Sequence, residues 1–226
     1  MATRRRYHHG DLPRALIDAA LELIAEAGAD TFTLREAARR VGVNHRAVYR
    51  HFADKESLLA TIAIEGLRGL VGEVEGDLAA LSGATPRQRL LAVVRAYLRY
   101  AVSHPAHYRV TFGPRLNAEG RFPALEAAMS RAVAVVSREL GAGQVGGAPV
   151  FDDMMSLWAG MHGLAQLVLM RRIAVKPSLL EDYAGARLAP LIDGLLTARG
   201  GTLMSPVETS DAPSTRPRKR RPPAGR

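Results

Sequence analysis

An all-α fold is the class that the sequence predicts, and three observations lead to it. Apolar residues recur at steps of three and four along nearly the whole chain, which is the period of a helix with one buried face. No segment alternates apolar and polar residues over the length of a convincing strand. Glycine and proline divide the chain into segments of helical length. With 226 residues, 47% of them hydrophobic, the chain can form one or two domains with a sizeable core.

The first helix is predicted over residues 11–27. Asp11 is a suitable N-cap, and Pro13 lies in the first turn, where its missing N–H costs little. Gly28 supplies a C-terminal stop. The buried stripe of this helix consists of Leu12, Leu16, Ala19, Ala20, Leu23 and Ala27.

A short helix with a strong start signal is predicted over residues 33–41. Thr33 can cap it, and Glu36 follows three positions later, which is the spacing of a capping box. Gly42 then permits the left-handed backbone of a tight turn. The inward-facing positions of this helix are Leu34, Ala37, Ala38 and Val41.

A second helix follows this turn and is predicted over residues 44–51, with Asn44 as its N-cap. Val48 and Phe52 anchor this helix in the core. Helix, glycine turn and helix in quick succession are the signature of a helix-turn-helix. In that motif the second helix enters the major groove of DNA and the first crosses the backbone. The first 60 residues are therefore predicted to form a three-helix bundle that binds DNA.

Six further helices are predicted after this bundle, most of them bounded by proline or glycine. Their predicted ranges are 55–81, 86–103, 105–112, 122–140, 150–172 and 178–199. The segment GAGQVGGAP, 141–149, is predicted to be a loop. The last segment is rich in Pro, Ser, Thr and Arg, and we expect it to be a disordered tail. The predicted parts are thus a DNA-binding domain with a basic N-terminal arm over 1–60, a larger helical domain over 61–200 and a basic tail over 201–226.

The net charge is +9 at pH 7, and the basic residues are unevenly placed. In the first 60 residues the bases gather at 4–6 and 35–55, which favours a polyanionic partner over a merely solvated surface. Arginine can bind guanine through two hydrogen bonds and asparagine can bind adenine, while hydroxyl, imidazole and ammonium groups reach phosphates. The predicted DNA-contacting residues are Thr33, Arg35, Asn44, His45, Arg46, Tyr49, Arg50, His51 and Lys55.

The segments YHHGDLPRALIDAALELIAEAG and FTLREAARRVGVNHRAVYRHFADKESLL closely resemble the N-terminal domain of TetR-type bacterial transcriptional regulators. The segment LWAGMHGLAQLVL, 157–169, resembles the WHG type of C-terminal regulatory domain in one branch of that family. The resemblance implies a homodimeric repressor that binds operator DNA and releases it when a small molecule enters the C-terminal domain. The family usually has small or varied residues where Asn44, His45 and Arg46 stand, so the operator sequence does not follow from the resemblance.

A ligand pocket is predicted among the middle helices, where aromatic and methionine side chains stand beside a few polar ones. The same side chains also suit a plain core, and that alternative stays open. His104, His107 and Tyr108 have helical spacing but no evident third ligand, so neither a metal nor another cofactor is expected. The candidate pocket residues are Tyr97, Tyr100, His104, His107, Tyr108, Phe112, Met129, Met155, Trp158 and His162.

The last two predicted helices carry more apolar surface than one small bundle needs, which favours a homodimer interface over a core role alone. On the first of them the small residues Ala159, Gly160 and Gly163 would allow a partner helix to approach closely. The apolar face of that helix is predicted to comprise Met154, Leu157, Trp158, Met161, Leu164, Ala165 and Val168.

Several other classes of protein are disfavoured. No run of eighteen apolar residues is present and the N-terminus lacks the apolar core of a secretory signal, so neither a membrane span nor export is expected. The absence of cysteine fits a reducing compartment, and we expect a cytoplasmic location. No catalytic triad, metal motif or phosphate loop stands out, which disfavours an enzyme. A DNA-binding protein of the same fold that needs no ligand remains the alternative function.

Overall fold

The computed structural model describes residues 11–29, 31–113, 116, 120–141 and 148–200, without the side chains of 148–150, 199 and 200. The all-α prediction is confirmed over these residues, which contain helices and no strand. The helices are α1 (Leu12–Ala27), α2 (Leu34–Val41), α3 (His45–Val48), α4 (Lys55–Ala79), α5 (Pro86–Ser103), α6 (Pro105–Thr111), α7 (Pro123–Glu139), α8 (Ala148–Leu169) and α9 (Leu180–Gly200), and a 3₁₀ turn (Pro177–Leu179) precedes α9. The predicted N-terminal arm, most of the 141–149 loop and the tail lie outside the described residues.

The predicted helix starts are confirmed by hydrogen bonds at their caps. The Asp11 carboxylate accepts from the backbone N–H of Arg14 at 3.1 Å. The capping box of α2 is complete, because the Glu36 N–H donates to the Thr33 hydroxyl at 3.2 Å and the Thr33 N–H donates to the Glu36 carboxylate at 2.8 Å. The bonds from Thr33 hold the pKa of Glu36 below its ordinary value. These bonds fix the entry of the chain into α2.

The second helix of the helix-turn-helix is shorter than the predicted 44–51. It ends at Val48, and the next three residues form turns in which the His51 N–H donates to the Val48 carbonyl at 2.9 Å. Such bonds between residues three apart tighten the last turn of a helix. The tightening returns Phe52 to the core that already holds Val48. Tyr49, Arg50 and His51 therefore project from a tight turn rather than from a regular helix.

Two other helices end at least two residues earlier than predicted. The α4 helix stops at Ala79 and not at residue 81, and α8 stops at Leu169 and not at residue 172. Arg171 has a left-handed backbone with a φ of 55°, which is incompatible with continuing α8. The apolar pattern of the sequence runs past this break, and it therefore did not indicate the end of the helix.

Two apolar clusters organise the described residues, and α4 contributes to both. The first cluster joins α1, α2, α3 and the first half of α4, and it also contains Val110 from α6 and Leu125 from α7. The second joins the rest of α4 to α5, α7, α8 and α9, together with Tyr108 from α6. The first cluster continues along α4 to Leu67, past the predicted domain boundary at residue 60. That boundary stays a prediction.

Close packing of α4 against α6 depends on a glycine. A Cβ atom at Gly66 would lie 2.5 Å from the Thr111 hydroxyl oxygen and 3.4 Å from the Cβ of His107. Because the first distance is far below van der Waals contact, a side chain at this position requires either the Thr111 side chain or α6 itself to move. Gly72 lies on the same helix, and a Cβ built there has no atom of the other described elements within 4 Å, so it provides a matched comparison.

We expect opposite effects of alanine at these two glycines. Gly72→Ala should raise the free energy of unfolding by about 0.5–1 kcal/mol, because alanine favours helix and loses less entropy on folding. Gly66→Ala should lower it by about 1 kcal/mol or more, because overpacking outweighs that gain. Urea denaturation of both variants measures the two values. Equal stabilisation by both substitutions would show that α6 can move to accommodate the alanine at position 66 without a cost in stability.

Candidate functional site

The outer side of the helix-turn-helix is exposed and polar, and a buried anchor supports it. Gly42 adopts a left-handed backbone with a φ of 81°, which lets α3 begin soon after α2 ends. Val48 is fully buried beneath α3. The predicted contact residues that are exposed on this side are Thr33, Arg35, Asn44, His45, Arg46, Tyr49, Arg50 and His51, and Lys55 is partly exposed.

Asn44 has a structural task on this surface. Its side-chain oxygen accepts from the Arg46 N–H at 2.9 Å and so caps α3. A two-bond contact to adenine uses both the oxygen and the nitrogen of the amide. The cap therefore competes with the adenine contact considered from the sequence, and it leaves the amide nitrogen of Asn44 as the group that can face a partner.

Arginines on this surface lack the carboxylate partners that most of the other described arginines have. Among the described residues, no carboxylate lies within 4 Å of the guanidinium group of Arg35, Arg46 or Arg50. Arg40 stands close by in sequence, but it is held by Glu26 at 2.8 Å and by Glu22 at 3.4 Å. The exposed surface of α3 thus carries positive charge that the described residues do not neutralise, which suits a polyanion.

A shallow cleft beside this surface lies between the N-termini of α2 and α4. Thr33, Leu34, Arg35, Tyr49, Asp54 and Lys55 line it. The ends of both helices present positive dipole ends toward the cleft, and Lys55 lies over the Phe32 ring with its ammonium nitrogen 4.8 Å from the ring centre. Such an arrangement favours an anion the size of a phosphate.

Asp54 places a negative charge in the same cleft, and two groups offset it. Its carboxylate accepts from the Ser57 N–H at 2.8 Å as the N-cap of α4, and it pairs with Arg121 at 2.5 Å. The bond from the Ser57 backbone and then the Arg121 guanidinium hold the pKa of Asp54 below its ordinary value. Arg121 precedes α7, so the charge balance of the cleft depends on a residue far along the chain.

A second feature is a cavity of about 290 Å³ among α4, α5, α7 and α8. Five of the predicted pocket residues line it, and these are Tyr97, Phe112, Met129, Met155 and Trp158. The other lining residues are Leu67, Leu70, Val71, Val74, Val93, Ala132, Val133, Val135, Val136, Phe151, Met154 and Met161. These were not predicted as pocket residues from the sequence, although the apolar spacing of Met129, Ala132, Val133 and Val136 marks one face of α7.

Tyr108 and His162 lie beside the cavity and join Tyr97 in a hydrogen-bonded group. The Tyr108 hydroxyl is 2.8 Å from His162 Nδ1 and 3.1 Å from the Tyr97 hydroxyl. Burial raises the pKa of Tyr97 and that of Tyr108, the latter to about 12, and it lowers the pKa of His162. The environment thus favours the neutral form of all three side chains.

Tyr100, His104 and His107 do not line this cavity. The Tyr100 ring stacks on His104 with centroids 4.6 Å apart, and a Cβ at Gly69 of α4 would lie 3.0 Å from the Tyr100 hydroxyl. The nearest carboxylate of His104 is that of Glu73, and His107 faces Glu65, each at 3.9 Å. All three side chains are therefore directed toward α4. No group of three potential metal ligands occurs among the described residues.

The exposed face of α8 differs from the face predicted for a dimer interface. Met154, Leu157 and Met161 are buried in the core of the protomer, and Trp158 borders the cavity. The exposed stripe consists instead of Ser156, Ala159, Gly163, Leu167 and Met170, which recur at three- and four-residue steps. A Cβ at Gly163 would meet no atom of the described neighbouring residues within 4 Å. The stripe is mostly small or apolar, so a second helix could approach it closely.

We expect the stability to fall as the pH decreases below about 6.5, because burial lowers the pKa of His162 and of His107 in the folded state. A group with a depressed folded pKa binds more protons when unfolded, so its contribution is complete above 6.5 and is lost on acidification. Urea denaturation between pH 5 and 7 measures this slope. His162→Gln should reduce this slope, and an unchanged slope would show that folding does not lower the pKa of His162.

Two family models match the chain. Residues 16–62 match the model described as bacterial regulatory proteins, tetR family, and residues 90–188 match the model described as Tetracyclin repressor-like, C-terminal domain. The first match contains the exposed helix-turn-helix surface. The second contains most of the helices that enclose the cavity. None of the described helices is long and apolar enough to span a bilayer.

Curated relatives include several HTH-type transcriptional regulators named BetI. The one from Rhizobium meliloti (strain 1021) is 38% identical over 88 residues, which are 38% of this chain and 41% of that protein. The one from Agrobacterium fabrum (strain C58 / ATCC 33970) is 28% identical over 198 residues, covering 80% of this chain and 90% of that protein. The tetracycline repressor class A of Escherichia coli is 45% identical, but the match spans only 24% of its length.

Solved structures show the same architecture. A protein of unknown function from Rhodococcus sp. RHA1 superposes with a TM-score of 0.67 at 25% identity, covering 85% of this chain and 99% of that one. The TetR family transcriptional regulator PfmR from Thermus thermophilus gives a TM-score of 0.59 at 22% identity, covering 78% and 92%. The second likeness is one of fold alone.

Proposed function

The chain belongs to the TetR family of bacterial regulatory proteins, and we propose that it is a repressor that binds operator DNA until a small molecule occupies its cavity. The observation that carries the DNA-binding part is the exposed surface of α3, where Arg46 and Arg50 have no carboxylate within 4 Å among the described residues. The cleft between α2 and α4 supplies helix N-termini and Lys55 for the phosphate backbone. The α3 surface can thus contact the base edges of DNA while the cleft contacts its phosphate backbone.

The proposed regulator works as a homodimer. A two-fold protein presents its α3 surfaces to two half-sites, so the spacing between them decides how well it binds. We assign the interface to α8 and α9, with the Ala159–Gly163–Leu167 stripe at its centre. The proposed parts are a DNA-binding domain over 1–60, a ligand-binding and dimerisation domain over 61–200 and a tail over 201–226. The proposed place of action is the cytoplasm.

The cavity favours a ligand-responsive regulator over one that needs no ligand, and two contacts explain how the ligand would act. Phe112 lines the cavity at the end of α6, which packs on α4 at Gly66. Arg121 stands before α7, whose residues also line the cavity, and it pairs with Asp54 and Glu56 at the start of α4. A ligand that displaces α6 or α7 therefore shifts α4, and with it the helix-turn-helix surface.

A selection from a random DNA library tests this proposal. We expect the full chain to enrich a sequence with two-fold symmetry, since protein and operator symmetry should match. Fluorescence anisotropy on that sequence should show an affinity that falls steeply with salt, by a log–log slope of about −0.9 for each phosphate neutralised. No enriched sequence, together with affinity independent of salt, would refute the proposal.

A further inference from the structure

Among the residues that the structure describes, no charged side chain lines the cavity. Its polar side chains are the Tyr97 phenol and the Trp158 indole, and all the others are aliphatic, thioether or phenyl groups. An ion without a partner in such a site loses its hydration with nothing to replace it, which costs several kcal/mol. The lining alone therefore selects against ligands that must stay charged.

The polar groups next to the cavity do not supply the missing charge. Burial favours the neutral forms of Tyr97, Tyr108 and His162, as the directions of their pKa shifts show. When Tyr108 donates to His162 Nδ1 at 2.8 Å, Tyr97 can donate to Tyr108 at 3.1 Å. The Tyr97 oxygen also accepts from the Trp158 indole N–H, so its second lone pair is left as the acceptor for one polar group of a ligand.

The aromatic side chains of the lining do not form an open cage for a cation. Phe112 packs directly on Tyr97 with ring centroids 5.9 Å apart, and on Trp158 with centroids 6.2 Å apart. Rings in mutual contact cover part of one another's faces, whereas a cation must approach within about 6 Å of several open ring faces at once. The rings are thus positioned as apolar walls.

The size of the cavity limits the ligand. A cavity of about 150 Å³ lined by apolar residues accommodates benzene, which has six non-hydrogen atoms. The present cavity of about 290 Å³ is nearly twice as large, so it suits about 12 such atoms. Met129 and Phe151 are 37% and 56% exposed, and they place the mouth of the cavity between α7 and α8.

We infer that the cavity takes a neutral, predominantly apolar molecule of about 12 non-hydrogen atoms with at most one hydrogen-bonding group, placed next to Tyr97. This inference rests on the proposed function, in which the cavity is the effector site. The inference excludes organic cations and carboxylates of the same size as ligands. The discrimination comes from the lining, so it should be measurable with simple probes.

The test uses three probes with the same ten-carbon chain, decan-1-ol, decylammonium and decanoate, each titrated calorimetrically into the full chain below its solubility limit or micelle concentration. We expect decan-1-ol to bind at least about tenfold more tightly than either ion. Equal or tighter binding of an ion would overturn the inference. Failure of decan-1-ol to bind would overturn it as well.

Variants locate the binding and separate this inference from the proposed function. Val133→Phe fills the cavity and should abolish decan-1-ol binding, whereas Ala127→Phe on the exposed side of α7 should not. Met155→Glu should shift the preference toward decylammonium, and an unaltered preference would contradict the role of the lining. Operator binding without ligand is measured in parallel. If the protein binds DNA but binds an ionic probe more tightly than decan-1-ol, only the inferred ligand class is wrong. If the protein binds no DNA, the proposed function fails whatever the probes show.

Discussion

Gly163→Arg is expected to convert the protein to a monomer and to weaken operator binding by about a hundredfold or more. Gly163 lies in the middle of the exposed stripe of α8, and in the described part of the protomer no atom outside the local helix lies within 4 Å of a Cβ built there. We therefore expect the substitution to leave the protomer fold intact. It places a long charged side chain where a partner helix must approach, and each DNA-binding surface then loses the avidity of the second.

Analytical ultracentrifugation at micromolar concentration and anisotropy on the selected operator measure both effects of Gly163→Arg. Gly72→Arg is the matched control, because Gly72 is also exposed and has no neighbour within 4 Å among the described residues, but lies on α4. It should stay dimeric and bind DNA normally. A Gly163→Arg protein that remains dimeric would place the interface elsewhere. A wild-type protein that is monomeric at this concentration would refute the dimer itself.

Arg46→Ala should weaken binding to the selected operator by about 1–3 kcal/mol, or about 5- to 150-fold, if Arg46 makes a two-bond contact to a guanine. Arg46 is exposed near the start of α3, and no carboxylate of the described residues restrains its side chain within 4 Å. The loss should be largest on the selected sequence and small on unrelated DNA, because a base contact carries sequence information whereas phosphate contacts do not.

Two further variants serve as controls for the Arg46→Ala measurement. Lys55→Ala should weaken binding to all sequences alike and reduce the salt slope by about 1, as expected for a lost phosphate contact. Arg40→Ala should change the affinity little, because Arg40 is occupied by Glu26 and Glu22. Anisotropy titrations at several salt concentrations distinguish the three. Unchanged operator affinity in the Arg46 variant would exclude Arg46 from base recognition.

Local signals were sufficient to predict most of the fold. Asp11, Thr33 and Asn44 were predicted as caps, and each accepts the expected backbone hydrogen bond, because capping depends on residues only a few positions apart. The length of α3 was not predictable in this way. It is limited by the return of Phe52 to the core, which is a tertiary requirement.

The cavity was predictable in part for a similar reason. Side-chain chemistry drew attention to Tyr97 and Trp158, which line it, but also to Tyr100, which is directed toward α4. Which side of α5 faces the cavity depends on the packing of α4 and α8, and no local pattern contains that information. The pair between Arg121 and Asp54 joins residues 67 positions apart, so no local pattern connects them either.

The first apolar cluster has a consequence for how such regulators can be recombined. Val110 and Leu125 are buried among residues of α1 to α4, although they belong to helices whose neighbours enclose the cavity. A chimera that exchanges residues 1–60 for those of a relative keeps these two side chains but changes the surfaces they fill. An exchange of operator specificity between family members therefore has to include the inward positions of α6 and α7. Within such a lineage, substitutions in α1 and at Val110 should change together.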